Sequence, residues 1–336
     1  MNPVRNSKSY KSLTDNFGGI TLSLNISNGV NPEKLTSPKE VKNILQKYDL
    51  RLKKRLGQNF LTDKNILNKI IKAANLSSRD IVIEIGSGLG TLTQGLAKKA
   101  GKVVALEIDK KLHNISQKIL QGHKNVELIQ GDILKIDLNS LIYRLSKYAP
   151  TISSPFKGEI SKGDSPQARL RRGIKVISNL PYYISTSILT RLLENKNYFK
   201  VILVSLQREV AERMIARPGT KDYGILSLSV QYYTEPEILF SISKGSFFPQ
   251  PQVNSSFVRL KVLSKPKVKV KDEKFFFSLV KAAFSQRRKT LLNALKDRLN
   301  LERETLLQVF KKVGLDPKRR AETLSLEEFA RLTNSI

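Results

Sequence analysis

The stretch "DIVIEIGSGLG", residues 80–90, joins an Ile/Val run interrupted by a single acid to a turn with glycine at every second position. A short apolar run of this kind, closed by a turn signal, reads as a strand buried on both faces. Gly86, Gly88 and Gly90 let the chain turn tightly and let a ligand approach the main chain without Cβ interference. "TLTQGLAKKA", residues 91–100, then suits a helix. A dinucleotide fingerprint would place its third glycine at Thr91, so the pattern disfavours a nicotinamide cofactor.

The same strand-then-helix rhythm continues on the C-terminal side. "GKVVALEID" (101–109), "NVELIQGD" (125–132), "IKVISNL" (174–180) and "KVILVSLQ" (200–207) read as strands, and segments such as "KKLHNISQKILQ" between them read as helices. Alternation of this kind predicts a mostly parallel sheet covered on both faces, a doubly wound, Rossmann-like α/β domain. Ligands in such sheets bind beyond the carboxyl ends of the strands. Glu107 ends the second strand about 20 residues after the first glycine, where an acid accepts hydrogen bonds from ribose hydroxyls. Asp132 ends the third, and an ionised carboxylate there accepts from an adenine amino group. With the glycine turn, these acids outline a cleft for a nucleoside.

Charge narrows the partners. Lys and Arg number 59 against 29 acids, a net of +30 over 336 residues, and such a field favours nucleic acid. No run approaches the roughly 18 apolar residues of a membrane span. There is no cysteine, and His113 and His123 alone cannot assemble a metal site of the usual kind, which fits metal-free chemistry in a reducing compartment. Residues 1–40 are polar and aperiodic and read as a disordered extension rather than a leader. Residues 41–262 form the expected α/β domain, interrupted at 145–173 by a stretch with three prolines and three glycines that reads as a disordered insertion. Beyond the linker-like "LSKPKVKVKDEK", helical periodicity over 263–336 predicts a small α-helical C-terminal domain that docks on RNA.

The fourth strand ends in "VISNLPYYIS", residues 176–185. Glycine turn, Glu107, Asp132 and Asn179-Leu180-Pro181-Tyr182, in that order, resemble the S-adenosylmethionine-dependent N6-adenine methyltransferases. "GQNFLTDKNIL" (57–67), "LQREVAERMIARPGTKDYGILSLSVQYY" (206–233) and "FFPQPQVNSSFVRL" (247–260) narrow the resemblance to the KsgA-type small-subunit (16S) rRNA adenine N6,N6-dimethyltransferases, relatives of the Erm-type 23S rRNA enzymes.

The resemblance implies a methyl transfer from S-adenosylmethionine to two adjacent adenosines near the 3′ end of small-subunit rRNA, during biogenesis of the particle. In that reading the Asn179 side-chain oxygen and the Leu180 carbonyl accept the two N6 hydrogens, and Pro181 fixes the turn that aims the carbonyl. Tyr182 stacks on the flipped base, with Phe247 as the implied second aromatic and Phe248 as its alternative. Asn59 and Leu61 are implied to cover the methionine end of the cofactor, and Gly86, Gly88, Glu107, Asp132 and Asn179 its other parts. Arg51, Lys53, Lys54 and Arg55, with Arg287, Arg288 and Lys289 in the helix-like "SQRRKTLLNALK", are candidate phosphate contacts. The partner expected is small-subunit rRNA or a pre-30S particle, met by a cytoplasmic monomer. Departures from the family pattern are the long N-terminus, the 145–173 insertion and Gln252, where a basic residue is common. An Erm-type 23S activity, and a non-catalytic RNA-binding assembly factor, are the competing readings.

Overall fold

A computed structural model describes residues 35–53, 56–148, 173–286, 288–299 and 302–336. Its centre is a seven-stranded sheet in the order β4-β3-β2-β5-β6-β9-β7. The predicted strands are there: β2 (Ile81–Ile85), β3 (Lys102–Glu107), β4 (Val126–Gln130), β5 (Ile174–Asn179) and β6 (Phe199–Gln207). These five run parallel, so their carboxyl ends share one edge of the sheet. β9 (Ser255–Val262) then pairs antiparallel with β6, and β7 (Thr234–Ile242) antiparallel with β9. A separate two-residue ladder pairs β1 (Phe60–Leu61) with β8 (Phe247–Phe248).

Alternation along the strands divides the core. Ile81, Ile83 and Ile85 face one apolar layer, shared with α5 (Leu138–Ser146) and α6 (Ser185–Glu194). Val82, Val103 and Ile177 face the other, packed on α2 (Lys64–Ala74) and α3 (Thr91–Ala97). Both faces are therefore dry, which explains the near-continuous apolar runs. α4 (Lys110–Leu120) closes a third cluster with α1 (Pro38–Lys47). Asp63 and Asp109 cap α2 and α4 by accepting the first free N–H groups of those helices. Lys175, 5% exposed on β5, donates to the carbonyls of Ala74 and Asn75 and pairs with Asp80, so its charge closes the carboxyl end of α2.

The remaining helices are α7 (Arg208–Ile215), α8 (Ile225–Tyr233), α9 (Glu273–Phe284), α10 (Leu291–Leu299), α11 (Arg303–Val313) and α12 (Leu326–Ser335). The last four form the predicted helical end of the chain. They continue the core of the sheet domain: Phe276 stacks on Tyr232 of α8, 5.0 Å between ring centres. The stretch over 263–272 is tied down, with Lys271 N–H donating to Asn334 and the Asn334 amide donating to Lys269.

Three expected boundaries move. Leu35 is 1% exposed and α1 begins at Pro38, so the folded part starts before residue 41, because an amphipathic first helix covers the α4 side of the sheet. α5 runs to Ser146 with Leu145 fully buried, so the insertion starts later than residue 145. Most of the expected extension and insertion, residues 1–34 and 149–172, lies outside the described residues. α9 ends at Phe284 and α10 begins only at Leu291, so the helix-like "SQRRKTLLNALK" is not one continuous helix.

Candidate active site

The carboxyl edge of β2, β3, β4 and β5, roofed by the loop at 56–60, lines one cavity. Gly86 and Gly88 take φ of 79° and 57°, values that favour glycine, and a Cβ on Gly88 would stand 3.0 Å from the Phe60 ring. The floor is thus bare backbone, held at both positions in a conformation that L side chains rarely adopt.

Glu107 lies beside it, 5% exposed. Its Oε2 accepts from Gly88 N–H and its Oε1 from Asp109 N–H, both at 2.8 Å. Burial pushes this carboxyl up, against the pull of those two N–H groups. Glu84, 1% exposed beneath the turn, is the neutral member of the pair: burial pushes it up to about 8, and the Glu107 charge adds to the rise. Neither Glu84 Oε2 nor the buried Thr93 Oγ1 has a hydrogen-bond partner among the described residues. The backbone donors thus serve Glu107, while Glu84 is left to its burial. Asp132 also lines the cavity, its Oδ1 accepting from Leu134 N–H at 2.9 Å. A bare-backbone floor, a pinned carboxylate and a second carboxylate fit a nucleoside-bearing cofactor.

At the tip of β5, Asn179 is held at both ends of its amide. Nδ2 donates to the Asn59 carbonyl at 3.1 Å, and Oδ1 accepts from the Ser205 hydroxyl on β6. This network sets which end of the amide is oxygen. Leu180 N–H donates to the Ser205 carbonyl at 3.0 Å, continuing the ladder one residue past the strand. The half-buried Tyr182 is anchored by a bond between its hydroxyl and Ser255 of β9, and burial raises its pKa, so it stays a neutral phenol. Gly57 backs onto the main chain of Tyr182 and the ring of Tyr183, close enough that a Cβ would touch both at 3.4 Å.

The loop roof is tied to the sheet by a second network. Lys53 Nζ pairs with Asp109 at 2.7 Å, Lys53 N–H donates to Gln58 Oε1, and the Gln58 amide donates to Asp109. Asp109 remains a good acceptor: burial alone would raise its pKa, but Lys53 and the N–H groups of Leu112 and Lys111 outweigh it and hold it below the ordinary range.

Of the predicted residues, Asn59, Gly86, Gly88, Glu107, Asp132, Asn179, Leu180, Pro181 and Tyr182 all line this one cavity. Leu61 and Phe247 do not. They are partners in the β1–β8 ladder, 4% and 3% exposed, and the pairing turns both side chains into the apolar layer with Ile66 and Phe257. Phe248 is half-buried against the cluster that holds Leu89 and Leu112. Among the basic residues, Arg51 and Arg288 are exposed, whereas Lys53 is engaged by Asp109 and Lys289 by Asp297 at 2.9 Å. Lys54, Arg55 and Arg287 lie outside the described residues. Ser205, Ser255 and Gln58 escaped the sequence reading. Ser205, a polar residue inside "KVILVSLQ", was the visible signal.

Residues 49–336 match the ribosomal RNA adenine dimethylase family model. The chain belongs to that family. It is 46% identical over 305 residues to the Ribosomal RNA small subunit methyltransferase A of Alkaliphilus oremlandii, covering 90% of this chain and 98% of the relative. The enzyme of the same name from Bacillus cytotoxicus is 44% identical over 90% of this chain and 97% of its own. Among solved structures, a dimethyladenosine transferase from Plasmodium falciparum superposes with a TM-score of 0.62 at 26% identity, over 80% of this chain and 94% of that one. The 23S rRNA methyltransferase ErmE, at 22% identity and a TM-score of 0.57 over 82% of this chain and 99% of its own, shares the fold. This dimethylase is an S-adenosylmethionine-dependent rRNA adenine N6,N6-dimethyltransferase, and its relatives by sequence bear the small-subunit name rather than the 23S one. No helix among the described residues is long and apolar enough to cross a membrane.

Proposed function

We propose that this dimethylase modifies two adjacent adenosines near the 3′ end of 16S rRNA, acting as a cytoplasmic monomer on a pre-30S particle. Supporting this reading is the amide of Asn179, clamped at the cavity edge with its oxygen on the Ser205 hydroxyl and its nitrogen on the Asn59 carbonyl, one residue from the Leu180 carbonyl.

Adenine N6 is a weak nucleophile because its lone pair is delocalised into the ring. When bound, S-adenosylmethionine supplies the electrophilic methyl group; Gly86, Gly88, Glu107 and Asp132 would hold it. Asn179 Oδ1 and the Leu180 carbonyl accept the two N6 hydrogens and favour the pyramidal amine. Tyr182 offers its ring to the flipped base, a contact worth roughly 1–3 kcal/mol, and tolerates the charge that develops on nitrogen. Water takes the proton afterwards, and the contribution of the protein is alignment. After the first transfer one N6 hydrogen remains, and one acceptor suffices to position it.

Arg51 and Arg288 are exposed and serve as phosphate contacts that position the RNA without reading sequence. Labelled S-adenosylmethionine incubated with small-subunit particles lacking dimethyladenosine tests the assignment. Mass spectrometry should find two dimethyladenosines in the 3′ fragment of 16S rRNA; label confined to 23S rRNA, or binding without label, would contradict it.

A further inference from the structure

Beyond Tyr182, on the same edge of the sheet, lies a second groove that the methyl-transfer geometry does not use. It is formed where β6 ends and β9 begins, and Gln207, Arg208, Glu212, Gln252 and Val253 line it. Gln207 is the strand partner of Ser255, and Ser255 holds the Tyr182 hydroxyl. The walls are set: Arg208 N–H donates to the Asn254 carbonyl and Lys244 N–H to the Asn254 side chain, both at 3.0 Å.

The chemistry of the groove is not that of a phosphate site. Arg208 is already bound by Glu212 at 2.7 Å, and Glu209 offsets the charge of Lys244 on the same groove, so the lining carries no net positive charge for an anion. What the groove offers instead is amide and apolar surface. The side chains of Gln207 and Gln252 make no hydrogen bond among the described residues, and Val253 is 44% exposed. A glutamine amide matches the N6/N7 edge of adenine with one acceptor and one donor, and an exposed branched side chain gives a base a dry face.

We propose that this groove binds the base of the nucleotide adjoining the target adenosine, with Gln252 reading an adenine edge and Val253 covering its face. The inference rests on the reading of the chain as an RNA adenine methyltransferase and adds how it selects a pair of adenosines rather than one. The groove on the far side of Tyr182 receives the neighbour while the cavity receives the target.

The test uses small-subunit particles lacking dimethyladenosine in which either adenosine of the pair is replaced by uridine, with methylation of the other read by mass spectrometry. The unaltered protein should lose roughly tenfold in kcat/KM on the uridine particles. Gln252→Ala and Val253→Ser should lose a comparable factor on the adenosine particles and show little further loss with uridine. Because both positions are on the surface, S-adenosylmethionine affinity should be unchanged, which reports that each variant is folded. Variants that discriminate as the unaltered protein does, or an unaltered protein indifferent to the neighbour, would overturn the proposal. If the unaltered protein methylates no adenosine on any particle, the functional reading itself fails, and this one with it.

Discussion

Ser205 donates its hydroxyl hydrogen to the side-chain oxygen of Asn179, across the β5–β6 pairing in which the two residues are partners. The bond fixes the amide with its oxygen end defined and leaves that oxygen a second lone pair. A free asparagine would turn between two nearly isosteric orientations, one of which presents a donor to the incoming amine.

Ser205→Ala should therefore act on turnover. Losing one neutral hydrogen bond is worth about 0.5–1.5 kcal/mol, so kcat should fall by roughly 2- to 13-fold with S-adenosylmethionine affinity retained. Single-turnover kinetics on undermethylated particles would show it, and Ser205→Thr should recover much of the loss.

Glu84 makes stability depend on pH in a set direction. Its carboxyl goes from an ordinary 4.5 in the unfolded chain to about 8 in the fold, so between those values the native state holds a proton that the unfolded state has released. Stability contributed by this group is full below about pH 4.5 and is lost as pH rises through about 8. Glu84→Gln keeps the shape and removes the titration. Thermal melts of the variant should decline less between pH 5 and 8 than those of the unaltered protein. Glu107 shifts in the same sense, so some slope should remain.

Lys53 belongs to the roof of the cofactor cavity. The Lys53–Asp109–Gln58 network joins the loop that carries Asn59 to the first turn of α4. Lys53→Ala should weaken S-adenosylmethionine binding by roughly two- to fivefold, the scale of a half-exposed ion pair. The salt dependence of RNA binding should barely change, since Lys53 is already neutralised. Calorimetry with the cofactor and RNA titrations at two salt concentrations separate these outcomes.

The parallel half of the sheet was legible because its strands are buried on both faces and stand out as apolar runs. β7 and β9 were not, since β7 is an edge strand carrying Pro236 and alternating charges, and its residues are mostly half-exposed. The glycine turn, Glu107, Asp132 and Asn179 to Tyr182 were visible because strand ends in this topology converge on one edge. Phe247 lies outside the cavity lining, and the sequence could not show it: a two-residue ladder leaves no periodicity, so nothing in "SFFPQ" tells which ring turns inward. Ser205 and Ser255 were invisible as partners because their contacts cross 26 and 73 residues of chain. Likewise "SQRRKTLLNALK" has helical composition throughout, and nothing in it shows that the helix before it ends at Phe284 and the next begins at Leu291.

Methyl transfer depends most directly on the amide oxygen of Asn179. Asn179→Ala, measured by single-turnover methyl transfer to undermethylated small-subunit particles with cofactor and RNA both saturating, should lose at least about a hundredfold in rate while RNA affinity is kept. A variant that turns over at the rate of the unaltered protein would contradict it.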